Sequence, residues 1–173
     1  MRGTTRGSPP RVSNTEIVWS WIGAFLGIAA ASWVNHLFFE GTDLSMMIGS
    51  YGASAVLAYG AVRSPLAQPR NLVGGHIVSA IVGVICWKLL HPYPWLAEAM
   101  AVATAIALMH ATRTLHPPGG ATALIAVIGS AKIHEMGFLY VLIPATIGPL
   151  ILLVVAILVN NISASRRYPE IWF

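Results

Sequence analysis

The sequence predicts an all-α fold, a polytopic transmembrane helical bundle of about five to six membrane helices, and three observations carry that expectation. Apolar residues make up 56% of the chain and Asp, Glu, Lys and Arg only 9%, against about 25% charged in a typical soluble domain. The mean hydropathy is +0.71. Apolar runs long enough to cross about 30 Å of hydrocarbon at 1.5 Å per residue alternate with short segments that hold most of the arginines and prolines. A water-soluble fold of 173 residues with this composition could not cover itself. The formal charge of +4 sits at segment ends and tails, so the basic balance reads as topology rather than as a nucleic-acid surface. No nucleic-acid partner is expected, since nothing alternates basic and aromatic residues as a nucleic-acid groove does. Cys86 is the single cysteine; it forms no internal disulfide framework and is expected to pack as a small apolar residue.

Met1 to Thr15 is polar, with Arg2, Arg6, Arg11 and Pro9-Pro10, and residues 1–16 read as a flexible basic tail. Ile17 to Phe39 is the first membrane helix. A cleaved signal peptide competes, because Ala29-Ala30-Ala31 mimics a cleavage site, but the run continues past the roughly 7 to 15 residues of a signal core. Glu40 to Asp43 makes an acidic turn, and Leu44 to Val62 returns through the membrane, rich in small residues. Its stripe Tyr51, Ala55 and Tyr59 reads as buried packing, and Gly23 with Gly27 permits a close helix contact. Arg63 to Arg70 is a loop with two prolines and two arginines. Asn71 to Leu90 forms a third span ending at the turn His91 to Pro94, where Trp87, Tyr93 and Trp95 suit a membrane interface. Leu96 to Thr112 goes back, with Glu98 near the positive end of its dipole. Gly119 to Ala131 gives only about 20 Å of helix, too short to span comfortably. Met136 to Asn161 is amply long, broken by Pro144 and by Gly148-Pro149. Residues 17–162 are thus one transmembrane domain, followed by a C-terminal tail over 163–173.

The arginines of the first tail, of Arg63 to Arg70 and of Arg113 fall on one side if Ile17 to Thr112 contains four crossings, and the positive-inside rule makes that side cytoplasmic. If Gly119 to Ala131 crosses as a short helix surrounded by protein, Arg166 and Arg167 come back to the same side. If it is a re-entrant hairpin, they end opposite; the charge rule favours six helices.

Between two apolar runs lies His116-Pro117-Pro118-Gly119-Gly120-Ala121-Thr122-Ala123-Leu124. Backbone groups freed by Pro117 and Pro118 must find partners other than lipid, so breaks of this kind line a site. This run resembles the signature of the HPP family of integral membrane proteins. The blocks from Gly52 to Leu57, from Ser64 to Asn71 and at Gly74-Gly75-His76 are similar to that family's other characteristic region, so the resemblance covers the chain from Leu44 to Ile128. Family descriptions that count four spans single out the short segment after the motif. The resemblance implies transport of a small anion, nitrite, as in the characterised members of cyanobacteria and chloroplasts, and with it an integral, multi-pass protein of a bacterial plasma membrane. HPP regions elsewhere are joined to soluble regulatory modules, which makes a membrane scaffold or sensor the alternative.

The residues themselves suit an anion. Arg63 and Arg113 each close a helix and are each followed by proline and then a glycine pair that opens the next helix, and paired broken segments point to a transporter's binding site. Glycine-opened helix N-termini present unpaired N–H groups and let a ligand approach the backbone. A guanidinium fork offers a planar anion two parallel donors. The candidate substrate-binding set is Arg63, Gln68, Arg70, Asn71, Gly74, Gly75, His76, His110, Arg113, His116, Pro117, Pro118, Gly119, Gly120 and Thr122. In this reading Arg113 and His116 orient the anion at the mouth of the helix near Gly119, with Arg70 and the Gly74-Gly75 turn as the matching half. The competing reading has the arginines obeying the positive-inside rule and hydrogen bonding helix-end carbonyls, and either His76 or His110 merely bonding a backbone carbonyl. His76, His110, His116 and Met46-Met47 lack metal-ligand spacing, and no Ser-His-Asp order or carboxylate pair occurs, so neither a cofactor nor an enzymatic activity is expected. The lipid bilayer is one partner. The small volume that residues 17–162 enclose makes a homo-oligomer plausible, with no readable subunit number.

Overall fold

The computed structural model describes residues 10–39 and 47–172, and among them all regular structure is helical. The acidic turn at 40–43, most of the basic first tail and Met46 lie outside the described residues. Helix α1 spans Asn14–Phe39, α2 Met47–Ala55, α3 Pro69–Leu90, α4 Pro94–Ala111, α5 Pro117–Ile128, α6 Ala131–Met136, α7 Leu139–Leu142 and α8 Pro144–Asn160. A π-helical turn, Val56–Gly60, prolongs α2, and a 3-10 turn, Pro65–Ala67, precedes α3. Four helical stretches are long and apolar enough to cross a membrane: α1, α3, α4 and α7 with α8. The two short ones, α2 with its π turn and α5, pack against each other among them.

Helices α3, α4, α5 and α8 all begin with proline in the first turn. The missing N–H costs nothing where N–H groups have no intrahelical partner, and the fixed φ is already helical. From the sequence α3, α4 and α5 are expected to start two residues later, with their prolines in the loops, whereas the last span is expected to run on through Pro144, where α8 in fact begins. Helix α4 ends in a Schellman motif: Thr114 N–H bonds Met109 O at 2.8 Å and Arg113 N–H bonds His110 O at 3.2 Å. Arg113 occupies the left-handed position, with φ 58°, usually a glycine's place.

The bundle is held by glycine-mediated backbone contacts. A Cβ on Gly75 would lie 2.5 Å from His116 Cβ, and one on Gly83 2.5 Å from the Ala123 carbonyl and 2.7 Å from Ala126 Cβ. One on Gly119 would lie 2.7 Å from Ser79 Oγ. These contacts run in register, so α3 and α5 lie side by side and point the same way. At their far end His134 of α6 stacks on Trp87 of α3, centroids 3.6 Å apart. The chain therefore passes the full length of the bundle along α5 and α6, and does not turn back as a hairpin. On the other flank Tyr59 lies against Gly23 and Gly27 of α1, and Tyr51 against Gly148 of α8. Both phenols donate to α8 carbonyls, Tyr51 to Pro144 and Tyr59 to Leu152. The tyrosine stripe and the small-residue pair are thus intramolecular packing. Lipid-facing surface is supplied by Trp21, Phe25, Trp33 and Leu37 of α1 and by Val154 and Leu158 of α8, all exposed.

The C-terminal segment, read from the sequence as a tail, is docked over much of its length. Tyr168 is buried and donates to Ala67 O at 2.7 Å; burial raises its phenol, which stays a neutral donor. Gln68 Oε1 accepts from the N–H groups of Glu170 and Ile171. The start of α1, the 61–70 loop, the start of α5 and residues 163–171 consequently share one end of the bundle, where Arg63, Arg70, Arg113, Arg166 and Arg167 gather.

The seam yields a first prediction. Gly83→Val drives a branched side chain into the α5 backbone and should cost about 1–3 kcal/mol or more, seen as a lower Tm in detergent. Gly120→Ala should leave Tm unchanged, because a Cβ there meets only Val102 at 3.9 Å. Equal Tm values for both variants would mean that the α3–α5 contact is looser than described.

Candidate functional site

Histidines 76 and 116, which the sequence places 40 residues apart, face each other at the centre of the bundle with ring centroids 5.1 Å apart. Ser54 of α2 joins them: its Oγ is 2.8 Å from His76 Nε2 and 2.9 Å from His116 Nε2. His76 Nδ1 lies 2.6 Å from Thr122 Oγ1, and His116 Nδ1 lies 2.9 Å from the Leu66 carbonyl of the 3-10 turn. All four side chains are 0% exposed.

The chemistry of the partners assigns the protons. A carbonyl only accepts, so neutral His116 carries its proton on Nδ1 and its Nε2 accepts. Ser54 therefore donates to His116 Nε2. The Ser54 oxygen then accepts from His76 Nε2–H, and the Thr122 hydroxyl donates to His76 Nδ1. One carbonyl thus fixes four hydrogen bonds and two opposite tautomers. Backbone geometry builds the chain: Gly75 lets α3 close on His116, and His116 itself is the extended residue before α5, with φ −141° and ψ 103°, as a residue preceding proline must be.

The other candidates are placed as follows. Asn71 Nδ2 donates to Leu115 O at 2.8 Å and pins the approach to the motif. The Gln68 amide nitrogen donates to Val62 O and Ser64 O, so with its oxygen bound to the C-terminal segment Gln68 is a spacer. Gly74 abuts Thr114, and Gly119 abuts Ser79 and the Gly75 carbonyl. Pro118 is buried; Pro117, His110 and Arg113 are exposed. Arg113 and His116 consequently do not form one anion cradle: the Schellman turn leaves Arg113 outside while His116 points into the core. Gly120, half-buried and open towards Val102, is not a close-approach glycine; only Gly119 of the pair is.

Among the depressions at the arginine end, two have polar linings, while a third of about 370 Å³ between Arg70, Gly74, Thr114 and Trp172 is almost wholly apolar. Arg70 lines a small cavity of about 80 Å³ with Gln68, Asn71, Pro65, Ile171 and Trp172, and its buried Nε has no hydrogen-bond partner among the described residues. A larger open cleft of about 240 Å³ is lined by Arg63, Ser64, Arg166, Arg167 and Glu16, with the end of the π turn as one wall. Within it Arg166 is buried and fully engaged at its outer nitrogens. It pairs with Glu16 at 2.8 Å, donates to Ser20 Oγ at 2.8 Å and to the Glu16 carbonyl at 2.9 Å, and donates to Asn160 Oδ1 at 2.9 Å. Asn160 passes the connection on to Ala58 O in the π turn at 2.9 Å. Arg63 and Arg167 are exposed, Arg63 reaching Glu170 at 3.8 Å and Ser165 O at 3.3 Å.

Ser54, Arg166, Asn160 and Glu16 escape sequence reasoning as site residues. Ser54 is one of many small residues in α2, and its role shows only against partners 22 and 62 positions away. Arg166 sits in a stretch whose polarity reads as a tail.

A family model described as "HPP, transmembrane region" matches residues 9–169. Two proteins of Dictyostelium discoideum, each named only as a transmembrane protein, are similar over nearly the whole chain. One is 46% identical over 96% of this chain and 54% of its own length. The other is 42% identical over 95% of this chain and 59% of its own length. The chain thus spans little more than half of the curated relatives it matches. No solved structure matches it.

The Arg166 network supports a second prediction. Arg166→Met removes the cation from a partly buried pair and leaves the buried Asn160 side chain without its donor, so stability should fall by about 1–3 kcal/mol. Thermal unfolding in detergent checks it, and an unchanged Tm would mean that the C-terminal segment is not docked by this contact.

Proposed function

The chain belongs to the HPP transmembrane family and is an integral, multi-pass membrane protein, and on that premise we propose that it moves a small inorganic anion, nitrite, across the membrane without covalent chemistry. The observation that carries the proposal is the cleft at the arginine end. Three arginines line it with one glutamate, Glu16, and Arg63 also reaches Glu170, which still leaves an excess of positive charge beside the short, π-terminated helix α2. A π turn inside a helix frequently marks a functional place. With Arg166 already bound to Glu16, the groups available to a ligand are Arg63, Arg167 and the Ser64 hydroxyl. Nitrite is planar and accepts two parallel N–H bonds from one guanidinium, as a carboxylate does. The small cavity beside Arg70 continues the basic surface towards the motif. By the positive-inside rule this end is cytoplasmic, which places the described start of α1 inside.

One observation favours the alternative of a scaffold without transport. Every nitrogen and hydroxyl in the Thr122, His76, Ser54 and His116 chain already has a partner, as a purely structural network would.

Uptake by proteoliposomes offered nitrite, nitrate, formate and chloride separates the two. Nitrite should enter faster than into empty vesicles. Arg63→Gln with Arg167→Gln should raise the half-saturating concentration about tenfold, the loss of one charge-assisted hydrogen bond. Arg113→Gln should transport like the unaltered protein. Folded protein that moves none of the four anions would leave the scaffold reading standing.

A further inference from the structure

The central chain has a property that a structural network does not need. With an excess proton on His76, its Nδ1–H finds the Thr122 oxygen once that hydroxyl turns, and its Nε2–H already finds Ser54. With the proton on His116, Nδ1–H keeps the Leu66 carbonyl and Nε2–H finds Ser54, whose own hydrogen points at His76. Both end states leave no N–H without an acceptor, and neither ring has to move. Asparagine or glutamine side chains could tie the same helices together, but imidazoles do so and also accept a proton.

We propose that Ser54, His76, His116 and Thr122 form a proton relay in which one proton passes between the two histidines through Ser54, coupling anion movement to proton movement. The coupling rests on the transport reading; the relay rests on the geometry. The step balances. The His76 Nε2–H bond breaks as its proton joins Ser54 Oγ, while the Ser54 O–H bond breaks and its proton joins His116 Nε2. His76 is left neutral with its proton on Nδ1, and His116 becomes the imidazolium. Run in reverse, the same two transfers return the proton to His76.

The surroundings hold the relay to one proton. With centroids 5.1 Å apart, two charged rings would repel, and a first proton opposes a second. The titratable groups facing the pair are tyrosines. Tyr51 of α2 lies edge-on to His76, centroids 6.3 Å apart, and donates to Pro144 of α8. Tyr140 of α7 donates to the Thr122 carbonyl of α5 at 2.8 Å. From α3, Ser79 donates to Met109 of α4, and the 3-10 turn supplies the Leu66 carbonyl. Among the described residues no carboxylate, lysine or arginine is hydrogen bonded to any of the four relay residues. The Glu16–Arg166 pair bonds Ser20 and Asn160 and none of the four relay residues.

Two measurements on the full chain test the proposal. In the first, 15N NMR of histidine-labelled protein in nanodiscs, assigned from single His→Gln variants, follows both rings with pH. Expected at neutral pH are opposite tautomers, Nδ1–H for His116 and Nε2–H for His76, and on acidification a common midpoint with uptake of one proton in total. Ser54→Ala should abolish the common midpoint and Ser54→Thr, which keeps the hydroxyl, should restore it. Separate midpoints in the unaltered protein, or no titration of either ring, would overturn the relay.

In the second, proteoliposomes carrying a trapped pH dye receive an inward nitrite gradient, with leakage into empty vesicles subtracted. Lumenal acidification should accompany uptake, fall at least about tenfold in Ser54→Ala and recover in Ser54→Thr. Nitrite entry without acidification would overturn the relay while transport stands. No entry of any anion would sink the transport reading, and the NMR titration would then decide the relay alone.

Discussion

The contact of α3 with α5 is the constraint on which the rest of the molecule depends. It requires that the backbones approach where Gly75 meets His116, where Gly83 meets Ala123 and where Gly119 meets Ser79. Lipid gives helices no hydrophobic reason to associate, so small residues that admit close van der Waals packing have to supply it. Once that seam is closed, His116 has nowhere to go but inward, opposite His76. The slot beside the seam is taken by α2, whose Ser54 is small enough to sit between two imidazoles. The 3-10 turn before α3 then presents its Leu66 carbonyl to the outer edge of His116. Substituting a large residue into the seam would therefore remove both the packing and the polar chain in one step.

A chain of two imidazoles and two hydroxyls is an expensive thing to bury. Each such group costs about 1–3 kcal/mol if left without a partner, and ionisable residues inside a membrane bundle are by default functional. The structure meets the cost by complete satisfaction: each nitrogen and hydroxyl has a partner at 2.6–2.9 Å. In the low dielectric of the interior such chains polarise each other and hold one geometry firmly. The same completeness is what makes the chain able to hold a proton on either ring without moving atoms other than hydrogens. The arginines are organised differently, at the end of the bundle, where Arg166 is locked by Glu16 and Asn160 while Arg63 and Arg167 stay exposed. The arginine cluster and the histidine chain thus occupy separate places, joined through the loop at 61–70.

Much of this was legible in the residues, and the parts that were not share a cause. Composition and run length give a helical membrane bundle, and the glycine pairs and prolines mark where helices break, because these residues act through their own backbone. Gly119 and Gly120 look alike in sequence, yet only Gly119 touches a neighbour, since which of two adjacent residues faces a partner depends on helix rotation. Arg113 and His116 stand three apart and read as one cradle. The left-handed turn at Arg113 sends them to opposite environments. Ser54 and Arg166 owe their roles to partners far along the chain, and long-range pairing leaves no local trace. The short α5 posed the hardest question. Its length left a hairpin open while the charge rule favoured a crossing, and the stacking of His134 on Trp87 with Gly137 beside Lys88, both at the far end of α3, shows that the chain continues across.

The central claim is that the motif histidine faces the interior of the bundle and is no part of an open ligand cradle. Diethyl pyrocarbonate modification of the folded protein, read residue by residue by mass spectrometry, tests it most directly. His91 and His110, both exposed, should be modified readily, and His76 and His116 should react only after denaturation. Modification of His116 in the folded protein at the rate of His110 would show that the motif is open to water, and would contradict the account.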